Sequence, residues 1–198
     1  MQTSTAFETQ VKKSIEASIV AKQRLIENTE LITIVSRVTE ILIRAFRAGN
    51  KVLLFGNGGS AGDAQHIAAE FVGRFAFDRP ALPALALSVN TSCVTAIGND
   101  YGFDLVFSRQ LEAHAQRGDV AIGITTSGQS QNVLRAMNTA QKMGLHTVGM
   151  TGSNGSRLAE VVEYCICVPV SETPRIQECH ILIGHIISEL VEKELFHA

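Results

Sequence analysis

The order of strands and helices in this chain is set at residues 52–70, which read VLLFGNGGSAGDAQHIAAE. A short apolar run, 52–55, is followed by a glycine-rich turn and then by a helical pattern. Small residues let the backbone N–H groups of such a turn approach an anion closely, and the start of a helix adds a favourable dipole. The segment therefore predicts a strand, an anion-binding turn and a helix in direct succession.

His66 and Glu70 lie four residues apart on that predicted helix. This spacing brings both side chains onto one helix face, about 6 Å apart along the axis. An imidazole and a carboxylate on one face are potential ligands for a divalent metal ion. A helix with incidental polar residues would show the same spacing.

Short apolar runs alternate with amphipathic segments after two helical segments at 6–28 and 30–48. The runs predict strands at 52–55, 85–89, 120–125, 147–150 and 164–168. Helices are expected near 61–76, 91–97, 104–116, 130–143, 156–162 and 174–196. Short, continuously apolar strands are typical of a parallel sheet covered on both faces. The alternation predicts an α/β fold, a three-layer αβα sandwich on a five-stranded parallel sheet. We expect one domain over 1–198, with 1–50 as an N-terminal helical extension.

The turns after the strands are where ligands bind in such sheets, outside the carboxyl ends of the strands. We expect these turns at 56–60, 88–92, 125–130 and 151–155. The third reads TTSGQS, with hydroxyls at Thr125, Thr126, Ser127 and Ser130 just before a predicted helix. One hydroxyl is enough for a helix cap, whereas four beside free N–H groups predict a phosphate site without a lysine.

The final helix carries Gln177 and His185, eight residues apart and therefore on nearly one face. If this helix meets the His66/Glu70 face, two imidazole nitrogens and two oxygens form a set suited to zinc or a similar ion. Taken alone, His185 also fits a core histidine and Gln177 an ordinary helix residue. We interpret His180, which is off that face, as structural or supporting.

Composition excludes several classes of function. The net charge of −2 and the aromatic content of 6% do not suit nucleic-acid binding. No membrane span or secretory pattern is visible, so we expect a cytoplasmic protein. Cys165 and Cys167 lie two apart in a predicted strand and share a face; we interpret them as small packing residues, not a redox or metal site. We expect His114, His146 and His197 at the surface.

The motifs together resemble the sugar isomerase (SIS) domain family, and within it the branch that isomerises phosphoheptoses. The resemblance covers essentially the whole chain and rests on GNGGSAGDAQHIAAE at 56–70, FDRP at 77–80, AIGNDYG at 96–102, TTSGQS at 125–130 and RIQECH at 175–180. Thr125 and Gln129 replace the serine and asparagine usual there, which keeps the hydroxyl and the amide. The resemblance implies the flavodoxin-like SIS fold and a homotetramer with active sites between subunits.

The resemblance also assigns roles to residues. It implies one zinc ion per subunit, held by His66, Glu70, Gln177 and His185, with Glu70 and His185 as the catalytic pair. It implies substrate contacts from Asn57, Gly58, Gly59, Glu70, Asn99, Asp100, Thr125, Thr126, Ser127, Ser130 and Gln177. From the residues alone, Asn99 and Asp100 could cap a helix or bind a polyol.

The implied reaction converts D-sedoheptulose 7-phosphate to D-glycero-D-manno-heptose 7-phosphate through an ene-diol, for ADP-heptose synthesis and surface glycans such as lipopolysaccharide. One alternative is a non-catalytic SIS tetramer that binds the bacterial replication initiator; such a relative lacks the carboxylate and imidazole that Glu70 and His185 supply here. A second alternative is an SIS isomerase or sensor of another sugar phosphate.

Overall fold

A computed structural model describes residues 2–153 and 156–196, and it contains eight helices and five strands in those ranges. Residues 154 and 155 of the expected turn at 151–155, and His197, lie outside the described part. The elements are α1 (Gln2–Glu27), α2 (Thr29–Arg47), β1 (Val52–Gly56), α3 (Gly59–Val72), β2 (Ala84–Ala86), α4 (Thr91–Tyr101), a 3₁₀ turn (Phe103–Leu105), α5 (Ser108–His114), β3 (Val120–Ile124), α6 (Gln131–Met143), β4 (His146–Thr151), α7 (Ser156–Ala159), β5 (Tyr164–Cys167) and α8 (Thr173–Phe196).

All five strands are parallel, in the order β2-β1-β3-β4-β5. Val52 of β1 is in register with Ala84 of β2 on one side and with Val120 of β3 on the other. The strand order reverses between β1 and β3, because β2 lies on one side of β1 and all later strands lie on the other. A flavodoxin-like sheet binds its ligands at this switch point. The predicted five-stranded parallel sandwich is confirmed.

The core forms two layers, one on each face of the sheet. One layer packs α2, α3 and α8 against the sheet, and α1 packs on α2 and α8; Val38, Leu42 and Val191 are fully buried. The other contains residues of α5, α6 and α7, such as Leu111 and Met137. Helix α2 is therefore part of a core layer. The division into a domain and an extension at residue 50 stays a prediction.

Several predicted boundaries are wrong. Helix α3 ends at Val72 and not near 76, because the backbone N–H groups of residues 75–77 donate to Glu192 and cannot continue the helix. Strand β2 covers Ala84–Ala86 and not 85–89, since the chain turns to reach Asn90, which caps α4 through Cys93 N. The helix expected at 104–116 is divided into a 3₁₀ turn and α5. Helix α7 ends at Ala159, short of the expected 162.

Helix α4 extends beyond the expected 91–97 and therefore includes Asn99 and Asp100. It ends before Gly102, whose φ of 87° is unfavourable for other residues. His114 and His146 are exposed, as expected. In the described ranges, no helix combines the length and the apolar character needed to cross a membrane.

Candidate metal and phosphate site

The two ligand-side turns at the switch point are joined by a pair of side-chain amides. Asn57 Nδ2 donates to Asn132 Oδ1, and Asn132 Nδ2 donates to Asn57 Oδ1, each at 2.9 Å. Asn57 follows β1, whereas the buried Asn132 lies in the first turn of α6 after β3. This reciprocal pair fixes the two turns to each other. Asn132 was not predicted, because a polar residue early in a helix carries no signal of such a partner.

Three of the four predicted metal ligands meet on helices α3 and α8. His66 Nε2 lies 3.0 Å from Glu70 Oε1 and 3.2 Å from His185 Nε2. One ligand atom from each of the three residues lies within 4.8 Å of the others. His185 is half-buried, so its interpretation as an ordinary core histidine is wrong. The cluster has the donor atoms and the spacing of a site for a divalent metal ion.

The cluster forms because α3 and α8 run side by side in the same direction. Gly59 contacts Gln177, and further along both helices Ile67 contacts Gly184. A Cβ at Gly184 would lie 2.6 Å from Ile67 Cδ1, so a larger residue would have to displace the buried Ile67 side chain at the level of His66 and His185. The register of the two helices thus sets the geometry of the cluster.

Gln177 lies at the other end of this helix contact, near the start of α3. A Cβ at Gly59 would overlap the Gln177 amide, so a larger residue there would force that side chain to move. Gln177 is about 12 Å from His185 along the axis of α8. Among the described residues, no hydrogen bond joins Gln177 to the cluster. The structure therefore brings together three of the four predicted ligands.

The hydroxyl turn after β3 is closed on itself. Thr125 Oγ1 lies 2.9 Å from Ser130 Oγ and 3.3 Å from Ser127 Oγ. Ser130 begins α6 without capping it through its side chain, and Val133 N donates to Asn132 Oδ1 at 2.9 Å. Within the described residues, the N–H groups of residues 131 and 132 are thus left for a ligand. Gly128, with φ of 67°, allows the tight turn. The arrangement suits a phosphate group bound by hydroxyls and by the helix start.

A cleft of about 250 Å³ opens beside this turn. It is lined by Thr126, Ser127 and Gln129 on one side and by Ser153, Ser171 and Thr173 on the other. Ser153 lies in the ligand-side turn expected at 151–155, whereas Ser171 and Thr173, at the start of α8, were not predicted. Their contribution depends on the sheet bringing distant turns together, which no local sequence pattern shows.

Asn99 and Asp100 are exposed in the last turn of α4, where Asn99 Nδ2 donates to Asp100 Oδ1 at 2.7 Å. In the described part of the chain, neither residue contacts the metal cluster or the hydroxyl turn. Their predicted role in substrate binding stays a prediction.

Asp63 is a further acidic group on the ligand-bearing helix that sequence reasoning missed. It lies one turn before His66 and two turns before Glu70, on the same side of α3. Its Oδ2 is buried and has no hydrogen-bond partner among the described residues. Burial raises the pKa of Asp63 to about 6, while the nearby His66 acts in the opposite direction. Asp63 thus holds a proton more readily than an ordinary aspartate does.

A buried ion pair fixes the end of α3, where Glu70 lies. Arg79 Nε donates to Glu192 Oε2 at 2.8 Å, and the two side chains are 2% and 1% exposed. Arg79 Nη2 also donates to the backbone carbonyl of Glu70 at 2.8 Å. Burial raises the pKa of Glu192, but three backbone N–H donors and Arg79 outweigh it and bring the pKa below its ordinary value. The pair ties α8 and the segment after α3 to the backbone of Glu70.

His180 lies in the core beneath the ligand edge and is fully buried. Neither ring nitrogen has a well-formed hydrogen bond within the described residues. Burial lowers the pKa of His180 to about 4, against a small opposite effect of the Thr151 backbone. The imidazole is therefore neutral near pH 7, which agrees with a structural role.

Comparison with known proteins gives consistent results. Residues 16–152 match the family model described as the SIS domain. The phosphoheptose isomerase of Sulfurimonas denitrificans is 52% identical over 186 residues, which cover 94% of this chain and 95% of that protein. The phosphoheptose isomerase of Aneurinibacillus thermoaerophilus is also 52% identical over 186 residues, with 94% of each chain covered.

Solved structures show the same similarity in three dimensions. The phosphoheptose isomerase of Neisseria gonorrhoeae superposes with a TM-score of 0.89 at 39% identity, over 94% of this chain and 99% of that chain. The corresponding enzyme of Francisella tularensis also gives a TM-score of 0.89, at 32% identity, over 93% of this chain and 97% of its own.

Proposed function

The chain belongs to the SIS domain family and to its phosphoheptose isomerases, and we propose that it interconverts D-sedoheptulose 7-phosphate and D-glycero-D-manno-heptose 7-phosphate. The observation that carries this proposal is the meeting of His66, Glu70 and His185 on two helices that begin at the ligand edge of the sheet, which also carries the hydroxyl turn. The His66, Glu70 and His185 cluster suits the reacting end of a sugar, and the hydroxyl turn suits its phosphate. The product would supply ADP-heptose synthesis for surface glycans.

The donor atoms of the cluster fit zinc. Zinc–nitrogen bonds of about 2.0–2.1 Å place two tetrahedral ligand atoms about 3.3 Å apart. The observed separations of 3.0 and 3.2 Å are close to this value. We propose that His66, Glu70 and His185 hold one zinc ion per subunit and that Gln177 supplies a fourth ligand. The latter requires more than a change of side-chain rotamer, because Gln177 lies about 12 Å from His185 along α8. When bound, the ion would stabilise negative charge that develops on the substrate oxygens.

Glu70 and His185 are the groups that we assign to proton transfer. An aldose–ketose isomerisation removes the proton beside the carbonyl and returns a proton to the neighbouring carbon. Glu70 uses Oε1 toward His66, and no hydrogen bond in the described ranges uses Oε2. This division lets one carboxylate oxygen act as a ligand while the other accepts the proton. The Arg79 contact to the backbone of Glu70 holds the base in place.

The remaining predicted residues position the substrate. We assign the phosphate to Thr125, Thr126, Ser127 and Ser130. Because the amide of Asn57 is engaged by Asn132, the turn at Asn57, Gly58 and Gly59 contacts the sugar mainly through its backbone. Asn99, Asp100 and Gln177 would bind sugar hydroxyls.

Turnover of sedoheptulose 7-phosphate by zinc-loaded protein tests this assignment. Glu70→Gln and His185→Gln should each lower kcat by about 100- to 10,000-fold, the usual range for loss of a general acid or base. Glu112→Gln and His114→Gln, on the exposed side of α5, are matched controls and should retain activity. Near-normal turnover by Glu70→Gln would remove Glu70 from the mechanism.

A panel of sugar phosphates and an elemental analysis separate the alternatives. Preference for a five- or six-carbon substrate would exclude the heptose assignment. Stoichiometric binding to the replication initiator by protein without zinc would favour a non-catalytic role.

We also propose a homotetramer with active sites between subunits, in the cytoplasm. The exposed apolar side chains Phe7, Val11, Ile15 and Ile19 follow one another along α1 and support burial against another subunit. All four cysteines are free thiols, which agrees with a reducing compartment. Light scattering should show a tetramer that Val11→Glu with Ile15→Glu dissociates. Thr9→Glu, on the opposite face of α1, should leave it intact, and a monomeric parent protein would contradict the proposal.

A further inference from the structure

The edge strand of the sheet carries two cysteines whose sulfur atoms meet. Cys165 and Cys167 lie two residues apart in β5, which pairs with β4 on one side. Their Sγ atoms are 3.5 Å apart, and both side chains are half-buried. Residues two apart on a strand share a face, and here the two side chains place their sulfur atoms in contact. Two thiols in contact can react with each other, which two separated packing residues cannot.

The two thiols are not equivalent. The hydrogen bond between the two sulfur atoms lowers the pKa of Cys167 to about 7, although burial and the charge of Glu30 act against this. The same hydrogen bond raises the pKa of Cys165, which lies beside Gly149 on the inner side of the strand. Of the two, Cys167 is thus the thiol that forms a thiolate more readily, with a protonated thiol next to it. A low-pKa, accessible cysteine beside a second cysteine is typical of redox-sensitive sites.

A bond between them requires a distortion of the strand. Residues two apart in a strand have Cα atoms about 6.6 Å apart, close to the upper limit of about 6.8 Å for disulfides. A disulfide also needs Cβ atoms about 3.5–4.5 Å apart, whereas side chains two apart on one strand face run nearly parallel, so the backbone of the edge strand has to bend to form it. Strained, accessible disulfides are easily reduced, so such a bond would be reversible.

We propose that Cys165 and Cys167 form a redox-active dithiol that a small disulfide of the glutathione class oxidises to an intrastrand disulfide. The Cys167 thiolate attacks one sulfur of the small disulfide, forms a mixed disulfide and releases one thiolate. Cys165 then loses its proton to solvent and attacks Sγ of Cys167, which breaks the mixed disulfide and releases the second thiolate. The two protein thiols lose two electrons in total, and the small disulfide gains them.

Intact-mass spectrometry of the full chain after exposure to oxidised glutathione tests this directly. The wild-type protein should lose two hydrogen atoms, retain no glutathione, and recover its mass with dithiothreitol. Digestion at Arg157 and Arg175 should place the bond within one peptide. Cys165→Ser should retain one glutathione on Cys167, since the resolving thiol is absent. Cys167→Ser should slow thiol loss by at least about tenfold.

The other two cysteines supply controls. Cys93→Ser and Cys179→Ser should oxidise like the wild-type protein, and circular dichroism checks that all four variants fold. Iodoacetamide alkylation of Cys167 should show a midpoint near neutral pH in the folded protein. A persistent glutathione adduct on the wild-type chain, a disulfide-linked dimer on a non-reducing gel, or four thiols left intact would each overturn the proposal.

Discussion

Replacing Glu192 by Gln should be one of the most damaging single changes to this fold. The carboxylate accepts hydrogen bonds from Phe75 N at 2.8 Å, Ala76 N at 2.7 Å and Arg79 Nε at 2.8 Å, with Phe77 N more distant at 3.4 Å. Glutamine has one acceptor oxygen, so its amide N–H groups would face N–H donors. The Arg79 charge, on a side chain 2% exposed, would lose its counterion. Removing one partner of a buried pair costs about 3–5 kcal/mol.

Urea unfolding followed by circular dichroism measures this cost as a fall in the free energy of unfolding. For a chain of this length, the loss corresponds to a melting temperature lower by about 10 °C. Glu189→Gln is the matched control, because Glu189 pairs with Lys193 on the same helix with side chains 43% and 57% exposed. An exposed pair of this kind contributes at most about 1 kcal/mol.

A second readout separates the network from general destabilisation. Because Arg79 also holds the Glu70 carbonyl, Glu192→Gln should weaken metal retention at temperatures where the variant is still folded. Replacing Arg79 and Glu192 together by Met removes the uncompensated charge but leaves the Phe75 and Ala76 N–H groups without their carboxylate acceptor, so the double variant should still be less stable than the wild-type protein. A loss below about 1 kcal/mol for Glu192→Gln, or a double variant as stable as the wild-type protein, would refute the reasoning.

Three other perturbations test separate features. Ser127→Ala should raise KM for the phosphosugar by about tenfold or more with kcat little changed, because a hydrogen bond to a charged group contributes about 1.5–3 kcal/mol. Steady-state kinetics measures both constants, and an unchanged KM would contradict the phosphate assignment. The pKa of His180 is lower in the folded chain than its ordinary 6.5, so the unfolded chain binds more protons. The free energy of unfolding should therefore fall as pH decreases from 6.5 to about 4. The loss should reach about 3 kcal/mol in urea titrations and be absent in His180→Leu. Gly184→Ala should lower zinc affinity measured by competition with a chelator, since its methyl would push Ile67 and α3 away from α8. The control Ala69→Gly, at an exposed position on α3, should leave zinc affinity unchanged. Unchanged affinity in Gly184→Ala would contradict this account of the helix contact.

The sequence predicted the sheet and the hydroxyl turn because their signals are local. Short apolar runs mark all five strands, and four hydroxyls before a helix mark the phosphate turn. Even His66 and Glu70 are a local pattern, four residues apart. Their connection to His185, 119 residues away from His66, came from resemblance to a family.

Long-range polar pairs could not be predicted in this way. In the sequence, Asn132 and Glu192 look like ordinary helical residues. In the structure, Asn132 joins the two ligand-side turns and Glu192 forms a buried ion pair with Arg79. Their partners are 75 and 113 residues distant, and only the packed chain brings them together. The end of α3 was misplaced for the same reason, since the donors of residues 75–77 are directed at a carboxylate near the end of the chain.

The parallel contact of α3 and α8 has a consequence for how such sequences can change in length. One inserted residue within either helix turns every following side chain by about 100° around the axis. An insertion between Gly59 and His66, or between Gln177 and His185, would therefore separate the cluster while leaving both helices intact. Loops between α3 and α8 are free of this constraint. Across natural variants, we expect length differences in those loops and none within these two intervals.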